Sequence, residues 1–150
     1  MGAHNLAHMT LSERERQEFL AEPHVAALSV VATPDRAPLV VPIWYQYEPG
    51  GDIWFHTSVG SRKAKLIDAA GRVSLMIDEA GARVRYVSVE GPIVRTEPGT
   101  YEHVRAMTAR YLPADRVDTY LEFALAEHGE QVVYHVRPER WLSADLTGNG

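Results

Sequence analysis

The spacing of apolar and polar positions changes several times along the 150-residue chain. Residues 12–22 repeat at helical spacing: Ser12 and Glu15 form an S-x-x-E capping box, Phe19 and Leu20 supply the apolar face, and Pro23 stops the helix. The run over 25–32 is short, apolar and rich in small and β-branched residues, which suits a buried strand. Thr33-Pro34-Asp35-Arg36 is turn chemistry. A long strand is expected over 38–47, with Leu39, Val41, Ile43, Tyr45 and Tyr47 on one face and Val40, Pro42, Trp44 and Gln46 on the other. Pro42 has no N–H for a ladder, which places it at an edge or a bulge. The loop over 48–52 leads to a strand over 53–57, then a polar loop over 58–61, then a short helix over 62–70 closed by Gly71. Strands follow over 72–79, where Val73, Leu75 and Ile77 alternate with Ser74, Met76 and Asp78, and over 84–95, interrupted at Gly91-Pro92. Helices are expected from 96 to 111 and over 115–126, separated by Pro113, and a last strand over 131–137 leads into a C-terminal tail.

Six strands joined mostly as hairpins imply a mainly β fold with flanking helices. The sheet should be largely antiparallel and close into a small barrel with the helices at its side. Strands and helices do not alternate regularly enough for a doubly wound parallel sheet. The length fits a single domain over 1–150. Residues 1–8, with His4 and His8 ahead of Met9, read as a remnant of recombinant expression or a disordered tail. The chain shows no internal repeat and no low-complexity stretch.

A hydrophobic share of 45% and a charged share of 23% are those of an ordinary globular protein and exclude disorder. With Cys at 0, no disulfide, thiolate nucleophile or Cys-ligated metal is available. A net charge of −5 argues against a general nucleic-acid binder. No run approaches the roughly 18 apolar residues of a membrane helix, and no signal peptide is evident, so the cytoplasm is the expected compartment and a membrane is not an expected partner.

The charge count holds one informative detail. Of 15 basic residues only Lys63 and Lys65 are lysines. They lie in Thr57-Ser58-Val59-Gly60-Ser61-Arg62-Lys63-Ala64-Lys65, between a strand and the start of a short helix. A helix N-terminus presents free N–H groups and positive partial charge, and helices ordinarily place Asp or Glu there. Bases at that position cost stability unless an anion is bound. A phosphate could take hydrogen bonds from Ser58, Ser61 and the backbone, and charge-assisted ones from Arg62 and Lys63. Equally, Ser61 is a plain N-cap, Lys65 pairs with Asp68, and the bases form a solvated face; the spacing matches neither a P-loop nor a dinucleotide fingerprint.

Trp44, Tyr45, Tyr47, Trp54 and Phe55 fall on neighbouring strands, where they could wall a pocket for a flat ring or belong to the core or a dimer interface. His24, His56, His103, His128 and His135 show no metal-ligand spacing, so no metal site is expected. His56 adjoins the basic loop. Arg83 and Arg85 extend the basic site or, by a small preference, pair with Asp78, Glu79 or Glu90. No nucleophile-elbow motif is present.

Taken together, several segments resemble the pyridoxamine 5′-phosphate oxidase-like superfamily of split-barrel flavin and deazaflavin proteins. These are Val40-Val41-Pro42-Ile43-Trp44-Tyr45, Ile53-Trp54-Phe55-His56-Thr57, Ser61-Arg62-Lys63-Ala64-Lys65-Leu66, Arg72-Val73-Ser74-Leu75-Met76-Ile77-Asp78, Val87-Ser88-Val89-Glu90-Gly91-Pro92-Ile93-Val94 and Arg137-Pro138-Glu139-Arg140-Trp141. They cover nearly the whole chain from Met9, in order, and the Ser-Arg-Lys segment is the most specific.

The resemblance implies a six-stranded antiparallel split β-barrel that forms a homodimer, with a cofactor in each of two grooves between subunits. Pro42, Ile43 and Trp44 would run along the cofactor ring, while Thr57, Ser58, Ser61, Arg62 and Lys63 would hold its phosphate. The Pro-x-Trp strand and the Ser-Arg-Lys-Ala loop are most like actinobacterial reductases that use coenzyme F420. The implied activity is hydride transfer from reduced F420 to an electron-poor small molecule such as an enone, imine or quinone. Tyr45, His56 and Tyr86 are the candidate proton donors. The alternatives are an FMN-dependent oxidoreductase of the same fold, a non-enzymatic flavin, deazaflavin or haem binder, and a barrel dimer whose basic loop binds nothing. The chain is shorter than true pyridoxamine 5′-phosphate oxidases and offers no match to their substrate-phosphate residues or C-terminal segment.

Overall fold

A computed structural model describes residues 9–148, so the reading of 1–8 as a tail lies outside the described residues. Helix α1 (Glu13–Ala21) starts at the expected capping box: the Ser12 side chain accepts from Glu15 N–H and the Glu15 side chain accepts from Ser12 N–H. It is followed by β1 (Ala26–Val30), β2 (Leu39–Ile43), β3 (Gln46–Tyr47), β4 (Ile53–Ser58), helix α2 (Arg62–Ala70), β5 (Arg72–Glu79), β6 (Arg85–Pro98), helices α3 (Tyr101–Tyr111) and α4 (Ala114–His128), β7 (Gln131–Val136) and β8 (Arg140–Asp145).

Every strand pairing is antiparallel, and the order β2-β1-β5-β6-β7-β4-β3 places β2 and β3 at opposite ends of one curled sheet. Yet β2 and β3 are consecutive in the chain, separated only by Trp44 and Tyr45. The sheet therefore returns on itself at this point and closes as a split barrel. The single strand expected over 38–47 divides here. The inside–outside alternation carries through the break, with Ile43, Tyr45 and Tyr47 buried. What changes is the hydrogen-bonding partner. Tyr45 N–H donates to the Tyr111 hydroxyl over 3.1 Å, and that hydroxyl directs its one proton to the His24 carbonyl at 2.7 Å, with the Tyr45 carbonyl also within 3.1 Å. A phenol from α3 thus satisfies backbone groups that a ladder would otherwise take.

The long strand β6 joins the two halves. It pairs with β5 and β8 through its first half and with β7 through its second, with a register shift between Ile93 and Arg95. The interruption expected at Gly91-Pro92 does not occur; the pair is inside the strand, facing Val73 and Arg72. The chain between β7 and β8 runs close beside the pair along β6, with Arg137 N–H donating to the Pro92 carbonyl and Glu139 N–H to that of Glu90. The residues from 96 also continue β6 rather than opening a helix, and α3 starts only after Thr100, whose hydroxyl accepts from His103 N–H. In place of the expected tail, β8 adds a strand beside β6, and with the division of 38–47 into β2 and β3 the described residues form eight strands rather than six. The core inside the barrel is built from Leu28, Ile53, Phe55, Leu75, Ile77, Val87 and Tyr134, with Phe19 and Leu20 of α1 closing one end.

Candidate functional site

A cavity of about 380 Å³ opens where the barrel splits. Its floor comes from the end of β2 (Pro42, Ile43), from Trp44 and from the end of β4 (His56, Thr57, Ser58), with Lys63 reaching in from the first turn of α2. The helical pair α3–α4 roofs it with Val104, Met107, Tyr120, Ala124 and Leu125. The cavity is thus polar and cationic on one side and apolar on the other, a composition suited to a flat organic ring with a charged end.

Helix α2 is built as expected. Ser61 caps it by accepting from Ala64 N–H at 3.1 Å, and Gly71 ends it in a left-handed conformation with φ of 70°. No acidic residue occupies the first turn. The Lys63 ammonium has no hydrogen-bond or ion-pair partner among the described residues, and desolvation lowers its pKa from the ordinary value of 10.5. Lys65 does not pair with Asp68: that carboxylate accepts from the Tyr134 hydroxyl at 2.8 Å. Arg62 and Lys65 stand exposed beside the cavity with no ion pair among the described residues. Arg85 lies away from it, buried over the Phe19 ring and paired with Glu79 at 3.0 Å, while Arg83 sits in the loop before β6.

Six of the eight residues expected at a cofactor line this one cavity: Pro42, Ile43, Trp44, Thr57, Ser58 and Lys63. Ser61 and Arg62 stand behind it at the helix start. The hydroxyls are less free than the sequence implied. Ser58 donates to the His128 carbonyl at 3.0 Å, and Ser61 Oγ, besides capping the helix, lies 3.4 Å from Thr57 Oγ1. Trp44 is stacked on Tyr111 at 4.7 Å and 8°.

Of the three candidate proton donors only His56 lines the cavity. Tyr45 is fully buried and gives its proton to the Leu20 carbonyl at 2.6 Å; burial raises its pKa far above the usual tyrosine range. Tyr86 is on β6 opposite Asp78 and Ala144, outside the cavity. The sequence reading missed the roof residues and Gln131. Val104, Met107, Val117 and Leu121 repeat at helical spacing, which signals an apolar face but not that a cavity lies beneath it.

A family model for pyridoxamine 5′-phosphate oxidase matches residues 12–144 of the chain. The chain belongs to the pyridoxamine 5′-phosphate oxidase family. No curated protein matches it. Solved structures similar to this family member include an F420 reductase, at 23% identity and a TM-score of 0.64 over 84% of this chain and 94% of that one. A FAD-binding protein from Mesorhizobium loti aligns at 23% identity and 0.60, covering 91% and 96%. HutZ, the haem storage protein of Vibrio cholerae, aligns at 16% identity and 0.59, covering 89% and 94%. At these identities the likeness is one of fold. Among the described residues of this pyridoxamine 5′-phosphate oxidase family member, no helix is long and apolar enough to cross a membrane. No group of three or more His, Asp or Glu side chains among them could hold a metal ion.

Proposed function

We propose that the cavity binds the phosphate and ring of a flavin-type cofactor, F420 first and FMN second, and that the protein is a reductase. The observation that carries this is Lys63: an unpaired, desolvated ammonium in the cavity wall is best explained by an anion that pairs with it. The backbone N–H groups of Arg62 and Lys63, which have no partner among the described residues, would join it on the same phosphate. Arg62 and Lys65, exposed and unpaired outside the cavity, favour a ligand whose negative charge continues beyond its phosphate, as the glutamate tail of F420 does. Pro42, Ile43 and Trp44 would lie along the ring. When bound, such a cofactor supplies the hydride; the protein orients it and excludes water, with Val104, Met107 and Tyr120 closing the apolar side.

Titration of the purified protein with F420 and with FMN, followed by fluorescence, tests this reading. Tighter binding of F420, followed by oxidation of reduced F420 with a panel of enones and quinones, is expected. Preference for FMN removes the F420 assignment, and binding without turnover of any acceptor favours a carrier.

The site is proposed to be completed by a second copy of the chain. The outward face of β2-β1-β5-β6-β8 carries the row Pro42, Ala27, Met76, Ser88 and Leu142, with Leu142 at 64% and neighbouring Val40 at 60% exposure. Val25 and Pro42 belong both to a shallow groove on this face and to the cavity, so the apolar face runs into the cavity mouth. Sedimentation is expected to show a dimer and Leu142→Asp a monomer with weakened cofactor binding; a monomeric wild type that binds cofactor fully would remove the partner.

A further inference from the structure

The polar wall of the cavity contains a series of hydrogen bonds whose direction is fixed from one end. The carbonyl oxygen of His128, at the end of α4, can only accept. Ser58 Oγ gives its single proton to that oxygen over 3.0 Å, so it can only accept from Gln131 Nε2 at 3.3 Å. The other proton of Gln131 Nε2 also points to the His128 carbonyl, at 3.2 Å. Both contacts require the amide nitrogen on this side, which sets the orientation of the Gln131 side chain. Its Oε1 then faces His56 Nδ1 at 2.8 Å. An amide oxygen cannot donate, so Nδ1 carries the proton, and in a neutral imidazole Nε2 is left as a bare lone pair. Nε2 has no protein partner among the described residues, and His56 lines the cavity.

The surroundings keep the ring neutral. Desolvation is the largest cause that lowers the His56 pKa below 6.5, the Gln131 hydrogen bond opposes it, and Lys63 on α2, His103 on α3 and His128 on α4 all act to lower it further. Burial and the neighbouring bases on three helices thus work in one direction.

We propose that His56 acts as a hydrogen-bond acceptor in the cavity wall and selects a ligand that presents an N–H or hydroxyl group there. In a flavin or deazaflavin this is the ring imide or the polyol chain. The inference rests on the cavity being the cofactor site. It assigns His56 to binding and removes it as the proton donor for reduction, because a ring protonated at Nδ1 alone has no proton on Nε2 to give.

Two measurements test it. Nitrogen-15 NMR of the ligand-free protein at neutral pH should show His56 Nδ1 protonated and Nε2 as an unprotonated, pyridine-type nitrogen; an Nε2–H tautomer or an imidazolium overturns the proposal. In F420 titrations, His56→Gln keeps an acceptor within reach and should bind within about threefold of wild type, whereas His56→Leu should lose about tenfold. Wild-type affinity should also fall at acid pH, once the pH drops through the His56 pKa, itself held below 6.5, and Nε2 gains a proton; His56→Gln should abolish that fall. Undiminished binding by His56→Leu overturns the contact. A wild-type protein that binds neither F420 nor FMN sinks the cofactor reading and this contact with it, even where the free protein shows the expected tautomer; the expected tautomer with binding to wild type but no loss in His56→Leu sinks the contact alone.

Discussion

Lys63→Met is expected to raise the melting temperature of the ligand-free protein and to weaken its binding of phosphate and of cofactor by about 10- to 100-fold. The two effects have one cause. The ammonium is desolvated by the cavity wall and no carboxylate among the described residues pairs with it, so folding disfavours its charged form, as its lowered pKa records. Below its folded pKa that penalty is present in full; as pH rises from there toward the ordinary 10.5 it is relieved, so Lys63 makes the free protein less stable at neutral than at strongly alkaline pH. An anion in the cavity reverses the sign by stabilising the charge. Calorimetry in phosphate and in chloride at matched ionic strength reads both effects. Phosphate should stabilise the wild type more than chloride does, and Lys63→Met should melt higher without phosphate yet gain little from it. A variant that melts lower and keeps the wild-type response to phosphate would make Lys63 a structural residue.

Gly91→Ala is expected to cost about 3–5 kcal/mol, a large part of the ~5–15 kcal/mol that holds a domain of this size together. A Cβ at this position would lie 1.7 Å from the Arg137 carbonyl oxygen and 2.8 Å from its carbon. Both are backbone atoms, so no rotamer change relieves the clash. Moving residues 137–139 away breaks the bonds from Arg137 N–H to the Pro92 carbonyl at 3.1 Å and from Glu139 N–H to that of Glu90 at 2.9 Å. Moving β6 instead breaks its ladder with β5, where Gly91 faces Val73. A urea midpoint shifted far down, or insoluble protein, is the expected result. An unchanged midpoint would show that residues 137–139 can shift as a body without loss.

The close approach at Gly91 also explains where the sequence was legible and where it was not. Local rules placed α1 and α2 nearly to the residue, because the Ser12–Glu15 box and the Ser61 and Gly71 caps act within a few residues of themselves. They also placed β5, whose buried Val73, Leu75 and Ile77 alternate cleanly. Gly91-Pro92 looked like a break because a glycine beside a proline usually is one; here the glycine answers to the close approach of the Arg137 backbone, distant in sequence. Strand β8 was invisible for a related reason. Its inward face mixes Trp141 with Ser143 and its outward face carries Leu142, so no clean alternation marks it, and what orders it is pairing with β6.

At the site, residues supplied by consecutive local elements were found, namely the Pro42–Trp44 strand and the Thr57–Lys63 loop. The hydrogen bonds that restrict Ser58 were not, since His128 and Gln131 reach it across 70 and 73 positions of sequence. The same distance hid Tyr111, whose hydroxyl seals the split at Tyr45. No periodicity encodes either partnership.

The roof of the cavity has an unusual attachment. Pro98 at the end of β6 pairs with Val132 of β7, and Gly99 N–H donates to the Gln131 carbonyl at 2.8 Å, so close that a Cβ on Gly99 would sit 2.6 Å from that of Gln131. To the barrel, the whole stretch from 100 to 130 is therefore the loop of a single hairpin. Loop-closure entropy changes slowly with length, so a hairpin loop of this kind tolerates replacement. A graft between residues 99 and 131 would exchange the apolar lining of the cavity while leaving Lys63 and Pro42 on the barrel. It would need to carry a phenol at the position of Tyr111, since the split is sealed from the insert. The fold thereby separates two inheritances: on the proposed reading, the charge that would hold a ligand is written in the barrel and its helix α2, and the shape of what is admitted beside it is written in an exchangeable cassette.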